Sequence, residues 1–239
     1  MSLGGLPQEI LLEVFSLVPA QDLVQRCRLV CSQWREVVDL DVLWKRKCRR
    51  EGYAMPALES SIQDWRAFYY LCRLKRNLIK NPCGEDGFNF WETEDEDETF
   101  EVGCIDRRYP FLPMHVRSGF GVYSGGEKKQ LITLKDHGYW DELMDEMKPD
   151  IMVKDWSDVS IPCHTLTVQL LGDIFQVICQ SEDKDLDEVT DDDEYWCEVS
   201  YVFRSYPRGV RHILFQHGVT GVDSGTLTNS TVIISPHVP

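Results

Sequence analysis

The 239-residue chain has no apolar run approaching the roughly 20 residues that a membrane-spanning helix needs, so no membrane insertion is expected. Its opening residues, Met1-Ser2-Leu3-Gly4-Gly5-Leu6-Pro7, lack the basic flank and long apolar stretch of a secretory leader, and a cytoplasmic location is expected. Cysteine is present, but an even, regularly spaced set is not: nine residues scatter at 27, 31, 48, 72, 83, 104, 163, 179 and 197. That pattern fits reduced thiols better than a disulfide framework. Cys27 and Cys31 fall on consecutive turns of a helical pattern and have no second Cys or His pair nearby, so a zinc site is not expected. Two acidic runs, 92–98 and 182–194, lack the Gly-containing loop and ligand spacing of a calcium site and read as solvated loops. No metal and no cofactor is expected.

Positive charge is scarce beyond residue 80. Residues 1–80 hold 13 Lys and Arg against 9 Asp and Glu, a net of +4, and residues 81–239 hold 12 against 31, a net of −19, which together give −15. So acidic a second part excludes nucleic acid, whose phosphates need a basic footprint. The clusters Lys45-Arg46-Lys47 and Arg49-Arg50, with Arg73, Lys75 and Arg76, read as solvated helix faces.

What is present begins with helical periodicity. Ile10, Leu11, Val14 and Leu17 recur as one helical face, Pro7 suits a helix start, and Pro19 stops or redirects the chain. Asp22 favours the opening turn of a second helix running through Leu23, Cys27, Val30 and Trp34, and Leu43 and Trp44 fall in a third. A unit of about forty residues buries little apolar surface alone, so a partner is expected to cover part of it. The Leu6-Pro7 pair, the run Val30-Cys31-Ser32-Gln33-Trp34-Arg35 and the pair Leu43-Trp44 together resemble an F-box, the module that docks a substrate receptor into a ubiquitin ligase. The resemblance implies that Leu6, Pro7, Ile10, Leu11, Val14, Leu23, Val30, Cys31 and Trp34 face the ligase's Skp adaptor subunit, or support the face that does.

Residues 52–61 read as a connection, and Asp64 introduces a helix through Trp65, Phe68, Tyr69, Leu71 and Cys72, expected to be a stiff spacer ended by Asn81-Pro82-Cys83-Gly84. The period then becomes strand-like. Cys197, Val199, Tyr201 and Phe203 alternate with mostly polar neighbours, as do Leu166, Val168 and Leu170, while Ile174 to Cys179, Val210 to Phe215 and Thr231 to Ser235 add short β-rich segments. Tyr206-Pro207-Arg208-Gly209 has turn chemistry. An antiparallel sandwich follows, with one helix, Tyr139 to Met147, turning Trp140, Leu143, Met144 and Met147 inward. The fold class is α+β, in three parts: a three-helix F-box at 1–47, a helical linker at 48–75 and a jelly-roll-like β-sandwich at 76–239.

The runs Arg76 to Gly84, Gly138 to Leu143, Pro149 to Trp156, Glu198 to Phe203 and Tyr206 to Gly218 are similar to the F-box-associated domain of F-box-only receptors, some of which recognise high-mannose N-glycans. The resemblance implies ten strands and a sugar pocket among loops at one end. A decisive Tyr-Trp-Lys-Gly-Trp loop of the glycan binders corresponds here to Gly218 through Leu227, which carries no aromatic residue. A second aromatic wall, before the family's Gln-Leu helix, corresponds to Tyr123, counting back from Gln130-Leu131. Asp155 and Trp156 match a motif near the pocket. Glycan contacts are therefore expected from Tyr123, Asp155 and Trp156 alone.

These resemblances imply a substrate-recognition subunit of an SCF-type cullin-RING ubiquitin ligase, partnered by the Skp adaptor and through it by cullin and RING subunits. Its target would be a misfolded N-glycoprotein in ER-associated degradation. The alternatives are a receptor for a non-glycan protein epitope and a ligase-independent lectin-like module. An enzyme built on Cys163-His164 is disfavoured, because sequence neighbours rarely form a catalytic pair.

Overall fold

The computed structural model describes residues 6–93, 100–105, 112–122, 125–158, 164–181, 196–220 and 225–237. The chain divides into two compact units, Met1–Arg73 with Pro236–Pro239, and Leu74–Ser235.

The first unit is helical: α1 (Gln8–Leu17), α2 (Ala20–Gln25), a 3-10 turn (Cys27–Leu29), α3 (Ser32–Val38), α4 (Asp41–Arg50) and α5 (Trp65–Leu74). The helix expected through Leu23, Cys27, Val30 and Trp34 is broken in two. Cys31 is extended at φ −160° and starts α3 instead of continuing α2, so Cys27 and Cys31 do not share a helix. The segment expected as a spacer supplies core: Trp65, Phe68 and Tyr69 of α5 pack with Leu11, Phe15, Leu23, Val38, Leu43 and Trp44. The stop at Pro19 leaves the last carbonyls of α1 without helical partners. Buried Lys47 answers them, its Nζ donating to Val18 O at 2.9 Å and Ser16 O at 3.4 Å. That places a cation on the negative end of α1, and burial lowers the Lys47 amine from its ordinary value.

The second unit holds β1 (Glu92–Thr93), β2 (Phe100–Cys104), β3 (Ser118–Val122), β4 (Gly126–Thr133), α6 (Asp141–Met147), β5 (Asp150–Ser157), β6 (His164–Leu171), β7 (Val177–Gln180), β8 (Cys197–Phe203), β9 (His212–Val219) and β10 (Gly225–Ser235). They form two five-stranded antiparallel sheets, ordered β1-β4-β9-β6-β7 and β2-β3-β10-β5-β8. Gln130 and Leu131 lie in strand β4, so the helix counted back from them to reach Tyr123 is absent. In α6, Leu143 and Met144 point inward as expected, whereas Trp140 precedes the helix and is 37% exposed. The expected strand from Ile174 starts three residues later, because Gly172 N to Gln176 O and Phe175 N to Gly172 O close a hairpin turn whose tip exposes Ile174 and Phe175. Of the acidic runs, Glu92 and Thr93 form β1; most of the first and all of the second lie outside the described residues. The described cysteines are all free.

Candidate functional site

Two regions carry chemistry, one in each unit. In the helical unit, α1 has two apolar faces where the sequence suggested one. Leu11, Leu12 and Phe15 point into the core; Ile10, Val14 and Leu17, at i, i+4 and i+7, are 49%, 44% and 64% exposed. Leu29 and Val30, beside the break before α3, are exposed at 68% and 62%. Of the nine residues expected at the adaptor face, Pro7, Ile10, Val14, Val30 and Cys31 are exposed, and Leu6 and Trp34 are half-buried. Leu11 and Leu23 are interior, at 1% and 0%. Trp34 meets Phe15 edge-on at 5.0 Å, and Gln33 Nε2 donates to Leu6 O at 3.1 Å, which fixes the start of α1 against α3. Leu17 and Leu29, which were not among the nine, are exposed as well.

In the sandwich, strand ends at Thr93, Phe100, Val122, Gly126, Ser157, His164, Cys197, Val219 and Gly225 share one end, as the antiparallel registers require. Just inside it lies a buried polar cluster. Asp155 follows Ile151 and Val153 on the inward face of β5, while Trp156, next in sequence, lies half-buried on the opposite face. The two therefore cannot line one pocket. Tyr123 and the segment 221–224 lie outside the described residues, as does Cys163.

Asp155 is fully buried and its carboxylate accepts three hydrogen bonds. His164 Nε2 lies 2.9 Å and His217 Nδ1 2.6 Å from Oδ2, and Ser230 Oγ donates to Oδ1 at 2.8 Å. Ser230 reaches it because β10 carries an irregularity between Thr228 and Thr231, with Asn229 at φ 53°. The other imidazole nitrogen of His217 hydrogen-bonds Lys128 Nζ. Lys128 lies between two rings, its Nζ 3.5 Å from the Trp91 centroid and 3.7 Å from that of Phe120, and Trp91 stacks on His217 at 5.0 Å. Burial alone would raise the Asp155 carboxyl, but His217 and the hydrogen bonds from both imidazoles hold it below the ordinary carboxylate range. Burial pushes His217 down to about 4, against Asp155, and drives the Lys128 amine well below its ordinary value.

Asp155, His164 and His217 offer donor atoms within 4.8 Å of one another, as a metal site would. Here, however, one carboxylate oxygen accepts from both imidazoles at hydrogen-bond distance, so these groups satisfy each other. The sequence did signal Lys128, His164 and His217. Each continues an inward alternation, from Ile132 and Gln130, from Val168, and from Ile213 and Phe215 respectively.

The F-box associated region model matches residues 69–234, and an F-box-like model matches residues 3–50. The chain belongs to the F-box only proteins that carry an F-box associated region. It is 40% identical to F-box only protein 6 of Bos taurus over 251 residues, covering 100% of this chain and 95% of that one. It is 41% identical to F-box only protein 44 of Homo sapiens over 253 residues, covering 100% and 98%. A more distant F-box relative, F-box only protein 17 of Homo sapiens, is 32% identical over 237 residues, covering 90% and 84%. The F-box match thus lies within the helical unit, and the associated-region match takes in the end of α5 and the sandwich.

Proposed function

We propose that this F-box protein is the substrate-recognition subunit of an SCF-type cullin-RING ubiquitin ligase. Residues 1–47 dock the Skp adaptor, and residues 76–239 hold the substrate. The observation that carries this reading is the second apolar face of α1. Ile10, Val14 and Leu17 stand in solvent although the core beneath them is complete with Leu11, Leu12 and Phe15. Large apolar residues aligned on one exposed helix face mark a partner-binding surface. The receptor needs no catalytic residue, because it works by proximity: holding a target beside the charged conjugating enzyme raises the effective concentration of its lysines.

For the substrate, the family resemblance supports misfolded N-glycoproteins of ER-associated degradation. A specific observation favours a non-glycan protein epitope: Asp155 is consumed by an internal network and Trp156 faces the other way. No aromatic residue falls between Gly218 and Leu227 to replace them. The test is co-purification of the full chain with the Skp adaptor and cullin, paired with calorimetric titration of chitobiose. Loss of the complex on replacing Leu6 and Pro7 with Ala supports the docking assignment, and unchanged binding removes it. Millimolar or tighter chitobiose binding restores the glycan reading, and none supports the protein epitope.

A further inference from the structure

The core of the sandwich is chemically layered along the strands, with a polar belt between the main apolar core and a small apolar cluster of Val122, Val219 and Leu227 at one end. Toward one end the inward positions are apolar and buried: Ile132, Ile151, Leu170, Phe203, Ile213 and Ile234. Toward the other, the same alternations deliver Lys128, Asp155, His164 and His217. Through these groups one carboxylate ties five strands and both sheets. Asp155 sits on β5 and holds Ser230 of β10 in its own sheet. Across the interface it holds His164 of β6 and His217 of β9, and through His217 it reaches Lys128 of β4.

The Lys128–His217–Asp155 part of the chain closes with one negative and one positive charge. With Nδ1–H of His217 given to Asp155, its Nε2 lone pair is free to accept from the Lys128 ammonium, which the Trp91 and Phe120 rings flank. A second positive charge would set imidazolium against ammonium out of contact with water, an arrangement the interior resists. Burial already lowers both groups. Among the described residues, the inner face of β8 offers Val199 and Cys197, β3 offers Phe120 and Val122, and β10 offers Ser230 and Val232. The remaining titratable partners are those named on β4, β5, β6 and β9.

We propose that the Lys128–His217–Asp155–His164 chain is a protonation-operated clamp between the two sheets, closed while the Lys128–His217 pair carries a single positive charge and opened by acid. Opening loosens the end bearing Ser157, His164 and Val219 while the opposite end, with Ile151, Leu170 and Ile213, stays packed. The clamp goes beyond the receptor reading and stands without it.

The test is residue-resolved amide exchange by NMR on the full chain at pH 7 and pH 5, corrected for the intrinsic rate. Protection at Asp155, Ser157, His217 and Val219 is expected to fall on the order of tenfold or more, against less than about threefold at Ile151, Leu170 and Ile213. Lys128→Met removes the resident cation, leaving a protonated His217 with only the Asp155 carboxylate as its charged neighbour, and should flatten that difference. Should this variant fail to fold, the ring nitrogens of His217 in the unaltered chain give an independent reading: an Nδ1–H tautomer protonating below about pH 5 supports the clamp. Equal loss at both ends overturns it, as does a His217 titration near its ordinary value. So does one equivalent of zinc whose removal by a chelator lowers protection, since the same groups would then be metal ligands.

Discussion

Replacing Asp155 with Asn removes one charge at nearly constant shape, and its cost can be worked out from the contacts. The carboxylate accepts three hydrogen bonds while fully buried, from His164, His217 and Ser230. The Asn amide can still accept on its oxygen, but its NH2 must then face an imidazole N–H or the Ser230 hydroxyl. With its oxygen in the Oδ2 position the NH2 faces Ser230 Oγ, which can accept it only by giving up the hydrogen bond it donates, and both imidazoles lose a charged acceptor, at about 1–3 kcal/mol. Lys128 also loses the countercharge it reaches through His217, and stranding one member of a buried ion pair costs roughly 3–5 kcal/mol. Because the two penalties overlap, a total of about 3–5 kcal/mol is expected, near half of a typical domain's stability. Urea titration read by hydrogen-exchange mass spectrometry on peptides from β5 and β9 isolates the sandwich from the F-box. A double-mutant cycle with Lys128→Met should show coupling of at least about 1 kcal/mol. A loss below about 1 kcal/mol for Asp155→Asn alone would refute the reasoning, because a carboxylate with three buried donors cannot be that cheap to remove.

Further outcomes follow from the same structure. Sandwich stability should decline as pH falls from about 6.5 toward 4. The unfolded chain binds a proton at the ordinary histidine value of 6.5 while His217 resists until about 4. Its lowered folded value therefore contributes stability above that window and loses it within it, as urea midpoints at half-unit pH steps would show. Lys47→Met should destabilise the F-box by about 1–2 kcal/mol by orphaning the carbonyls of Ser16 and Val18, measured by thermal melts followed by far-ultraviolet circular dichroism. Gly218→Ala should disrupt the β4–β9 pairing, because a Cβ there runs into Gly126 O and Glu127. A soluble Gly218→Ala variant with the heteronuclear NMR spectrum of the fully folded chain would contradict this.

The two-unit organisation was legible because both parts announce themselves locally, the F-box through paired motifs and the sandwich through period-two alternation. Two features of the F-box were hidden. In α1 the apolar residues Ile10, Leu11, Leu12, Val14, Phe15 and Leu17 spread over more than one face, so the pattern alone could not separate inward Leu11 from outward Ile10. The break at Cys31 is set by an extended backbone that no Pro or Gly marks. In the sandwich, alternation at Asp155-Trp156 already forbade a shared pocket, but motif proximity masked it. The clamp was the least legible part. Lys128, His164, Asp155 and His217 each looked like a polar residue at the end of an apolar pattern, and only the registers of four strands bring them together.

The most direct test of the receptor account is calorimetric titration of the purified full chain with the Skp adaptor, beside a Val14→Asp, Leu17→Asp variant whose core residues are untouched. The account predicts tight one-to-one binding by the unaltered chain, and at least about a hundredfold weakening in the variant with its melting temperature unchanged within about 2 °C. Equal affinity in both proteins would contradict it, because the outward face of α1 would then not be the docking surface.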